Sequence, residues 1–256
     1  MKALRLVAIG WLFQMKMLSR SSFDGLLGIL WPLFFATTAF FMFRTSHDSR
    51  ALLYAALGSS VMGIWSSTSV AASSALQRER WYGTLEAIVG TPAHFSLVLI
   101  PITLAMSTVG IYSMAATLLW GRFLFGIGVH IVHPLLFVIA VPTTVLAIGL
   151  LGFLLSVTVV RYRTAWALGN ALEYPVWLVC GFLVPLSLFP DWVRPISWAL
   201  APTWGVRAIR QAALGGAPLW PVAACIGLAA LYGIAGTLLV DTVLRSARRT
   251  ATLSLT

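Results

Sequence analysis

A short charged stretch between two long apolar segments contains the residues of this sequence best suited to specific chemistry. Glu79 and Glu86 lie about two helical turns apart, so a helix through the stretch places both carboxylates on one face. Gly83 permits a bend, and Pro92 helps to end the stretch before the next apolar segment. The pattern predicts a rigid elbow with a polar outer face, suited to docking a soluble protein. The stretch reads Arg78-Glu79-Arg80-Trp81-Tyr82-Gly83-Thr84-Leu85-Glu86 and is closed by Thr91-Pro92.

The alternative from the residues alone is an ordinary loop between two membrane helices. In that case Arg78 and Arg80 extend towards lipid headgroups, and Glu79 and Glu86 are their counter-ions. Both interpretations stay open at this point, because spacing alone does not separate them.

The composition establishes the setting of this stretch. The chain is 59% hydrophobic and 9% charged, whereas soluble domains contain about a quarter charged residues, so it is an integral membrane protein. A helix needs about 20 apolar residues to cross roughly 30 Å of hydrocarbon. The uncharged runs predict six such helices in one all-α, polytopic domain over residues 1–256. The predicted spans are 25–43, 52–76, 96–120, 135–160, 166–189 and 219–241.

The 17 basic residues and the net charge of +10 indicate membrane orientation rather than nucleic-acid binding, because they are spread over span ends and connections. Cytoplasmic loops of membrane proteins are enriched in Lys and Arg. The larger share falls on the side that holds both ends of the chain, which predicts a multi-pass protein of the cell membrane with cytoplasmic termini. Apolar residues at helical spacing predict that residues 1–22 form an amphipathic, interfacial helix in the headgroup layer. The alternative there is a solvated basic tail.

The segment 190–218, between the fifth and sixth predicted spans, combines prolines with tryptophans. Its prolines, together with Pro185, forbid one long helix, while the tryptophans suit the headgroup boundary. We expect short helices that dip into the outer leaflet, with Arg194, Arg207 and Arg210 facing lipid phosphate or outer water. The alternative is a plain loop with an aromatic belt. The residues assigned to this outer segment are Pro185, Pro190, Trp192, Pro195, Pro202, Arg207 and Arg210.

Glu173 is the acidic residue farthest from any predicted span end. If its helix begins near Arg163, the carboxylate lies about 15 Å along it, close to mid-membrane. A lone charge there costs about 2.5 to 3.5 kcal/mol, so this interpretation makes Glu173 part of a polar pathway or a dimer seam. In the alternative, residues 161–173 form a cytoplasmic helix, the span begins at Tyr174-Pro175, and Glu173 is solvated or paired with a cytoplasmic arginine.

Small residues fill the second predicted span from Ala55 to Ser74. Such residues let helices approach closely in lipid, so close packing is the first interpretation. A polar lining for a substrate is the alternative, because the serines outnumber what packing needs.

The sequence lacks motifs for catalysis or metal binding. There is no Gly-rich phosphate loop followed by Lys-Ser or Lys-Thr, no Ser/His/Asp set at useful spacing, and the four histidines show no metal-ligand pattern. We therefore expect no catalytic residue, no metal site and no cofactor bound by this chain. The energy for any work must come from a gradient or from a partner.

Two motifs resemble those of one known family, the permease subunits of ABC-2 type transporters, which have the type V exporter fold. The order Glu-Arg-x-x-Gly-Thr-Leu-Glu followed by Thr-Pro, between the second and third spans, resembles the coupling-helix signature of that family. The stretch from Gly181 to Pro195, followed by Pro202 and Ala208-Ile209-Arg210, is similar to the family's segment between its fifth and sixth spans. The resemblance extends over nearly the whole chain.

The resemblance implies a subunit that pairs with a second permease, either a copy or a relative. Each subunit offers its coupling helix, here 78–92, to a separate ATP-binding cassette ATPase that binds ATP and Mg²⁺. Re-entrant helices close the outer side of the pathway, and the exported substrate is expected to be a small hydrophobic or amphipathic molecule such as a drug or lipid. The coupling residues implied are Arg78, Glu79, Arg80, Gly83, Thr84, Glu86, Thr91 and Pro92.

A gradient-driven secondary transporter with Glu173 as its proton site is the alternative function. The two hypotheses differ in energy source, since one depends on a partner's ATPase and the other on an ion gradient. A membrane-embedded enzyme has little support, because Glu173 has no histidine or second carboxylate at useful spacing.

Overall fold

The computed structural model describes the backbone of residues 2–20, 22–44, 49–81, 94–159 and 165–250. Within these ranges every regular element is helical and no strand occurs, which confirms the all-α prediction for them. The elements are α1 (Lys2–Arg20), α2 (Ser22–Arg44), α3 (Ser49–Trp81), α4 (Ser96–Phe125), α5 (Pro134–Val159), α6 (Ala165–Val179), a 3₁₀ turn (Leu186–Leu188), α7 (Val193–Trp198), α8 (Ala201–Leu214) and α9 (Leu219–Thr250).

Contacts between α3 and α4 show that these two helices are antiparallel. Thr68 Oγ1 lies 3.0 Å from Ser107 Oγ. One turn earlier in α3, the backbone of Ile64 faces Gly110, where an added Cβ would lie 2.6 Å from the Ile64 Cα. Residue numbers therefore fall along α3 as they rise along α4.

α6 also runs antiparallel to α3. Ser69 Oγ donates to the Gly169 carbonyl oxygen over 3.2 Å near the beginning of α6. Gly58, earlier in α3, lies against Phe182 just beyond the end of α6. The beginning of α6 is therefore level with the later half of α3.

α5 runs antiparallel to α4 and parallel to α9. Leu99 near the beginning of α4 shares a buried cluster with Phe153 near the end of α5. Gly233 of α9 faces Leu150, and Gly236 faces Phe153. Residue numbers therefore rise together along α5 and α9.

α2 is parallel to α4, which completes an alternating arrangement. Pro32 and Ser113 both contact Gly63 of α3, and Phe40 lies against Gly121 further along the same two helices. Thus α2, α4 and α6 run in one direction, and α3, α5 and α9 run in the other, as expected for a chain that passes back and forth.

The bundle has two distinct ends as a result. One end contains the last turns of α3, the beginning of α4 and the later part of α9, where Phe95 and Val240 share a buried cluster. We call it the charged end, because Arg78, Glu79 and Arg80 of α3 lie there. The opposite end contains the beginnings of α3 and α5 together with α7 and α8, and we call it the α8 end.

Three helices in the described part are long and apolar enough to cross a membrane. They are Ser96–Phe125, Pro134–Val157 and Leu219–Val240, which correspond to the third, fourth and sixth predicted spans. α2 contains a shorter apolar helix, Pro32–Phe43. Large apolar side chains remain exposed on the outward faces of these helices, as contact with lipid requires. That the chain crosses the membrane six times is still a prediction.

The fifth predicted span, 166–189, is helical only as far as Val179. α6 has 15 residues, about 22 Å at 1.5 Å per residue. Gly181 has a φ of +71°, a conformation that favours glycine and turns the chain away from the helix axis. Pro185 then prevents the helix from resuming.

α3 packs closely against its neighbours through small residues, as the close-packing interpretation predicts. Gly63 meets α2 and α4 with no room for a side chain. Ser60 is buried, and its hydroxyl donates to the Ala56 carbonyl oxygen over 2.7 Å. Ser59 makes the equivalent bond one residue earlier. These hydroxyls are used within the helix itself, so they do not support a polar lining for a substrate.

α1 lies against the first half of α4. Trp11 Nε1 donates to Thr108 Oγ1 over 3.1 Å, while large apolar side chains such as Phe13 remain exposed. The structure has a helix at Lys2–Arg20, within the residues 1–22 for which an interfacial helix is predicted. Its position in the headgroup layer is not tested by these contacts.

Candidate functional site

The charged residues predicted to couple to an ATPase begin inside α3 rather than after it. α3 has 33 residues and ends at Trp81, so Arg78, Glu79 and Arg80 occupy its last turn. At 1.5 Å per residue the helix is about 50 Å long, against roughly 30 Å of hydrocarbon, so it is long enough to extend beyond a membrane. The side chains of these three residues, and the residues Gly83, Thr84, Glu86, Thr91 and Pro92, lie outside the described residues.

The predicted outer segment forms short helices at the α8 end, as its prolines require. After the 3₁₀ turn the chain turns at Pro190, whose carbonyl oxygen accepts a hydrogen bond of 3.0 Å from the Val193 amide. Pro195 lies in the first turn of α7 and Pro202 in the first turn of α8. N–H groups in the first turn have no partner within the helix, so a proline there costs no helical hydrogen bond. Trp192 is exposed beside α7. A re-entrant position in the outer leaflet is still a prediction.

Hydrogen bonds hold α8 against α5 and α9. The His133 amide donates to the Ala212 carbonyl oxygen over 2.9 Å, and the Ala201 amide donates to Tyr232 Oη over 3.2 Å. Irregular backbone at membrane depth is tolerated only where protein or water covers it. Through these contacts, protein covers part of the backbone of the segment that joins α6 to α9.

Arg210 on α8 points into the protein and binds three backbone carbonyl groups. Its Nη1 donates to the Gly181 oxygen over 2.8 Å, and its Nη2 donates to the Phe182 oxygen. Nε and Nη2 also donate to the Tyr54 oxygen over 3.3 and 3.2 Å, and the guanidinium carbon lies 3.4 Å from the centre of the Tyr54 ring. Because the side chain is only 7% exposed, the expectation that Arg210 faces lipid phosphate or outer water is wrong.

Gly58 leaves the space that Arg210 occupies. A Cβ at position 58 would overlap the Phe182 carbonyl oxygen and Nη2 of Arg210. Desolvating an ion costs several kcal/mol, but here carbonyl oxygens replace the water around a guanidinium that stays protonated in proteins. We call Tyr54, Gly58, Gly181, Phe182 and Arg210 the arginine clamp, which joins α3, α8 and the turn after α6.

The other two arginines of the outer segment are exposed, as predicted. Arg194 Nη1 lies 3.0 Å from Asp191 Oδ1 in an exposed ion pair. Arg207 lies over the Trp204 ring, with 5.7 Å between the guanidinium carbon and the ring centre. Exposed pairs contribute only about 0 to 1 kcal/mol, so neither arginine ties the segment down as Arg210 does.

Glu173 lies on α6 and is 8% exposed. Among the residues whose side chains are described, no basic group forms an ion pair with it. Its burial argues against the solvated carboxylate of the alternative interpretation. Pro175 lies inside α6, which does not fix where a span begins, and pairing with Arg161 or Arg163 stays open because both arginines lie outside the described residues. A role in a pathway or a dimer seam remains to be tested.

Aromatic side chains of α2 and α6 pack together at the turn of α6 that follows Glu173. Trp177, one turn further along α6, packs edge-on against Phe35 of α2 with 4.8 Å between ring centres, and against Tyr174 with 5.0 Å. The Trp177 Nε1 is buried and has no hydrogen-bond partner. The turn of α6 around Glu173 therefore contains the rings of Tyr174 and Trp177 and one N–H donor, Trp177 Nε1, without an acceptor.

Trp65 of α3 is level with Glu173. Ser69 donates to the Gly169 carbonyl oxygen. Trp65 lies one turn before Ser69 in α3, and Glu173 lies one turn after Gly169 in α6. Because the two helices are antiparallel, both steps lead towards the α8 end, and residues one turn apart share a helix face, so Trp65 and Glu173 lie on facing sides. Trp65 is 1% exposed, and its Nε1 also has no hydrogen-bond partner. We call Phe35, Trp65, Glu173, Tyr174 and Trp177 the acidic aromatic cluster.

Sequence reasoning missed most partners of these two charges. Tyr54 and Trp65 stand among small residues of the second predicted span, and no spacing rule links them to residues so far along the chain. Gly58 carries a weak signal, because glycine inside a helix costs about 0.5 to 1 kcal/mol and so indicates a close approach by another group.

A comparison with protein-family models matches residues 6–214 to the family described as ABC-2 type transporter. The matched region runs from α1 to the end of α8 and includes the charged end of α3, the arginine clamp and the acidic aromatic cluster. A search of curated proteins finds no significant match.

Proposed function

Because the chain belongs to the ABC-2 type transporter family and is therefore a membrane transport protein, we propose that it is the permease subunit of an ATP-driven exporter. In this proposal a separate ATP-binding cassette ATPase binds ATP and Mg²⁺ on the cytoplasmic side. That partner binds residues 78–92, which comprise the charged end of α3 and the coupling residues that follow it. The permease supplies the pathway and hydrolyses no ATP itself.

The observation that carries the proposal is the continuity of α3 between the two ends of the bundle. Tyr54, near its beginning, accepts hydrogen bonds from Arg210, and Arg78 lies about 36 Å further along at 1.5 Å per residue without a break in the helix. A force applied to the charged end of such a helix displaces the whole helix, so that its beginning at the α8 end moves as well. Coupling ATP hydrolysis to an outer gate requires a connection of this kind.

The proposal includes a second permease subunit, either a copy of this chain or a relative. The described helices pack around an apolar core, and a pathway between two subunits needs no opening through that core. The buried side chains that are described are mostly apolar. This composition favours a small hydrophobic or amphipathic substrate, such as a drug or lipid, over a large sugar chain. Export is the proposed direction.

A secondary transporter that uses Glu173 as its proton site is the second candidate function. Its support is the burial of this carboxylate without a described basic partner, a situation typical of proton relays in membrane proteins. The charged end of α3 has no role in that candidate.

Proteoliposomes separate the two energy sources. We expect the purified permease alone to show no ATP hydrolysis. Export of a fluorescent amphipathic dye is expected to need the partner ATPase, ATP and Mg²⁺, and no ion gradient. Export that follows an imposed proton gradient and continues without the ATPase would establish the secondary transporter instead.

Charge reversal tests the proposed docking surface. Arg78→Glu with Arg80→Glu is expected to reduce co-purification of the ATPase and dye export by about tenfold, because charges that match across an interface set association. The matched control is Arg248→Glu with Arg249→Glu, which makes the same charge change near the end of α9, also at the charged end of the bundle. Equal losses in both variants would assign the effect to net charge and would contradict docking at α3.

A further inference from the structure

Glu173 is a buried charge without compensation inside the described part of the chain. Its side chain is 8% exposed and forms no described ion pair. Arg210, the buried cation, already uses its donors on the carbonyl groups of the arginine clamp. A lone buried carboxylate is unfavourable and needs a proton or a cation.

The groups around Glu173 are those that recognise an organic cation. The faces of aromatic rings attract positive charge, and more strongly when water is excluded. Trp177 forms ring contacts with Phe35 and Tyr174, and Trp65 faces the same turn of α6. A carboxylate on the same turn of α6 as these rings combines charge with a large apolar contact area.

The two indole N–H groups provide an independent second observation. The Nε1 atoms of Trp65 and Trp177 are buried without a hydrogen-bond partner, although buried donors in proteins are nearly always paired. These donors lie on the two facing helices α3 and α6, about one turn or less along from a carboxylate that has no described basic partner. The polar groups of this region are therefore not paired with one another or with other described residues.

Other ligand classes fit these residues less well. Mg²⁺ and Ca²⁺ need several oxygen ligands, and the described residues contain no group of three side chains able to hold a metal. An anion would be repelled by Glu173. A neutral lipid would leave the carboxylate without a counter-charge.

We propose that the acidic aromatic cluster binds a hydrophobic organic cation, such as a quaternary ammonium or phosphonium compound. Glu173 neutralises the positive centre, and the rings of Trp65 and Trp177 enclose its apolar groups. The identification of this cation as an exported substrate rests on the proposed function, whereas its binding does not.

The cluster has an approach from the surface of the subunit. Tyr174 is 55% exposed, and the neighbouring Leu178 is exposed as well. Tyr174 also contacts Trp177 inside the cluster. The proposal therefore places the entry of a hydrophobic cation on this side of α6, from the bilayer or from between two subunits.

Equilibrium binding to the purified full-length permease in detergent tests this proposal without transport. The probes are tetraphenylphosphonium and tetraphenylborate, two ions of the same shape and opposite charge. We expect the phosphonium to bind and the borate to bind weakly. Glu173→Gln, which keeps the shape and removes the charge, is expected to weaken phosphonium binding by about tenfold or more. The same substitution should not weaken borate binding and should raise it if the borate enters the cluster, because the repulsion from the carboxylate is removed.

Two further variants serve as controls. Asp191→Asn also removes one carboxylate, but from an exposed ion pair at the α8 end, and should leave phosphonium affinity unchanged. Trp177→Leu removes one ring and should weaken phosphonium binding by about threefold to tenfold. Each variant must elute as a single species and retain a cooperative melting transition before its affinity is compared.

Equal binding of the two ions, or an unchanged phosphonium affinity in folded Glu173→Gln, would overturn the proposal and assign the signal to partitioning into the detergent layer. Failure of the intact permease to bind the phosphonium would also overturn it. Both results leave ATP-driven export untouched. Export that persists without the ATPase overturns the proposed function and leaves this binding site standing.

Discussion

Arg210 and Glu173 are both buried charges on elements that pack against α3, and the fold treats them in opposite ways. Arg210 is surrounded by carbonyl oxygens of Tyr54, Gly181 and Phe182. Glu173 has aromatic neighbours and no described basic partner. The guanidinium of Arg210 makes four hydrogen bonds to backbone carbonyl groups, whereas we propose that Glu173 binds a ligand.

This difference separates structural charge from functional charge in one small bundle. A buried ion whose hydrogen bonds are all made inside the chain stabilises that arrangement, and its loss leaves carbonyl groups unpaired. A buried ion that lacks partners lowers stability, and such groups mark binding sites and proton sites in membranes. The comparison predicts opposite responses to neutral substitutions at the two positions.

The largest effect is expected for Arg210→Ala. Removing the guanidinium leaves the Gly181 and Phe182 carbonyl groups without this donor, while the Tyr54 carbonyl group keeps its bond within α3. Breaking a buried charged contact costs about 3 to 5 kcal/mol in the free energy of unfolding. Thermal or denaturant unfolding of the detergent-solubilised protein measures this change. Arg207→Ala, on the exposed face of the same helix, is the matched control and should cost about 1 kcal/mol or less. Similar losses of unfolding free energy in the two variants would mean that the arginine clamp contributes no more to stability than an exposed arginine does.

Gly58→Ala is expected to have the next largest effect. The new Cβ overlaps the Phe182 carbonyl oxygen and Arg210, and overpacking of this kind costs about 1 to 3 kcal/mol. Gly227→Ala is the control, because nothing lies within 4 Å of a Cβ there and alanine is the better helix former. In an Arg210→Ala background the cost of Gly58→Ala should fall, since one of the two overlapping groups is gone. Additive costs would show that Gly58 and Arg210 do not share one contact.

The helices themselves were largely predictable from the sequence. α4, α5 and α9 follow from long apolar runs, because a chain in lipid must satisfy its backbone hydrogen bonds within helices. The breaks around α7 and α8 follow from prolines, which act locally. The early end of α6 was harder to predict, because apolar residues continue to Phe189 and the turn depends on the backbone conformation of Gly181.

The partners of the two buried charges were not predictable from the sequence. Arg210 stands near tryptophans, and that pattern is typical of an exposed residue at the headgroup boundary. Its inward direction depends on the space above Gly58 and on the Tyr54 carbonyl oxygen, both contributed by a distant helix. The burial of Glu173 similarly depends on how α3 and α6 are aligned, which is visible only in contacts such as that of Ser69.

Glu173→Gln should affect stability in the opposite sense from Arg210→Ala. The amide has nearly the same shape and no charge, so the unfavourable burial of a lone ion is relieved. We expect the free energy of unfolding to stay the same or to rise by about 1 kcal/mol, while phosphonium binding falls. Melting temperatures measured at a pH where carboxylates are ionised provide the comparison. A loss of several kcal/mol would show that Glu173 is a structural charge like Arg210.

The smallest effect is expected for Asp191→Asn, which extends the comparison to a charge that is neither clamped nor buried. Asp191 and Arg194 form an exposed ion pair at 3.0 Å, and water solvates both groups almost as well when they are apart. Such pairs contribute about 0 to 1 kcal/mol, and less at high salt. We therefore expect a change in the free energy of unfolding of about 0.5 kcal/mol or less, which disappears in 1 M salt. A larger, salt-independent loss would mean that assembly buries this pair against a second subunit or lipid, so that the surface of the isolated chain is not its working surface.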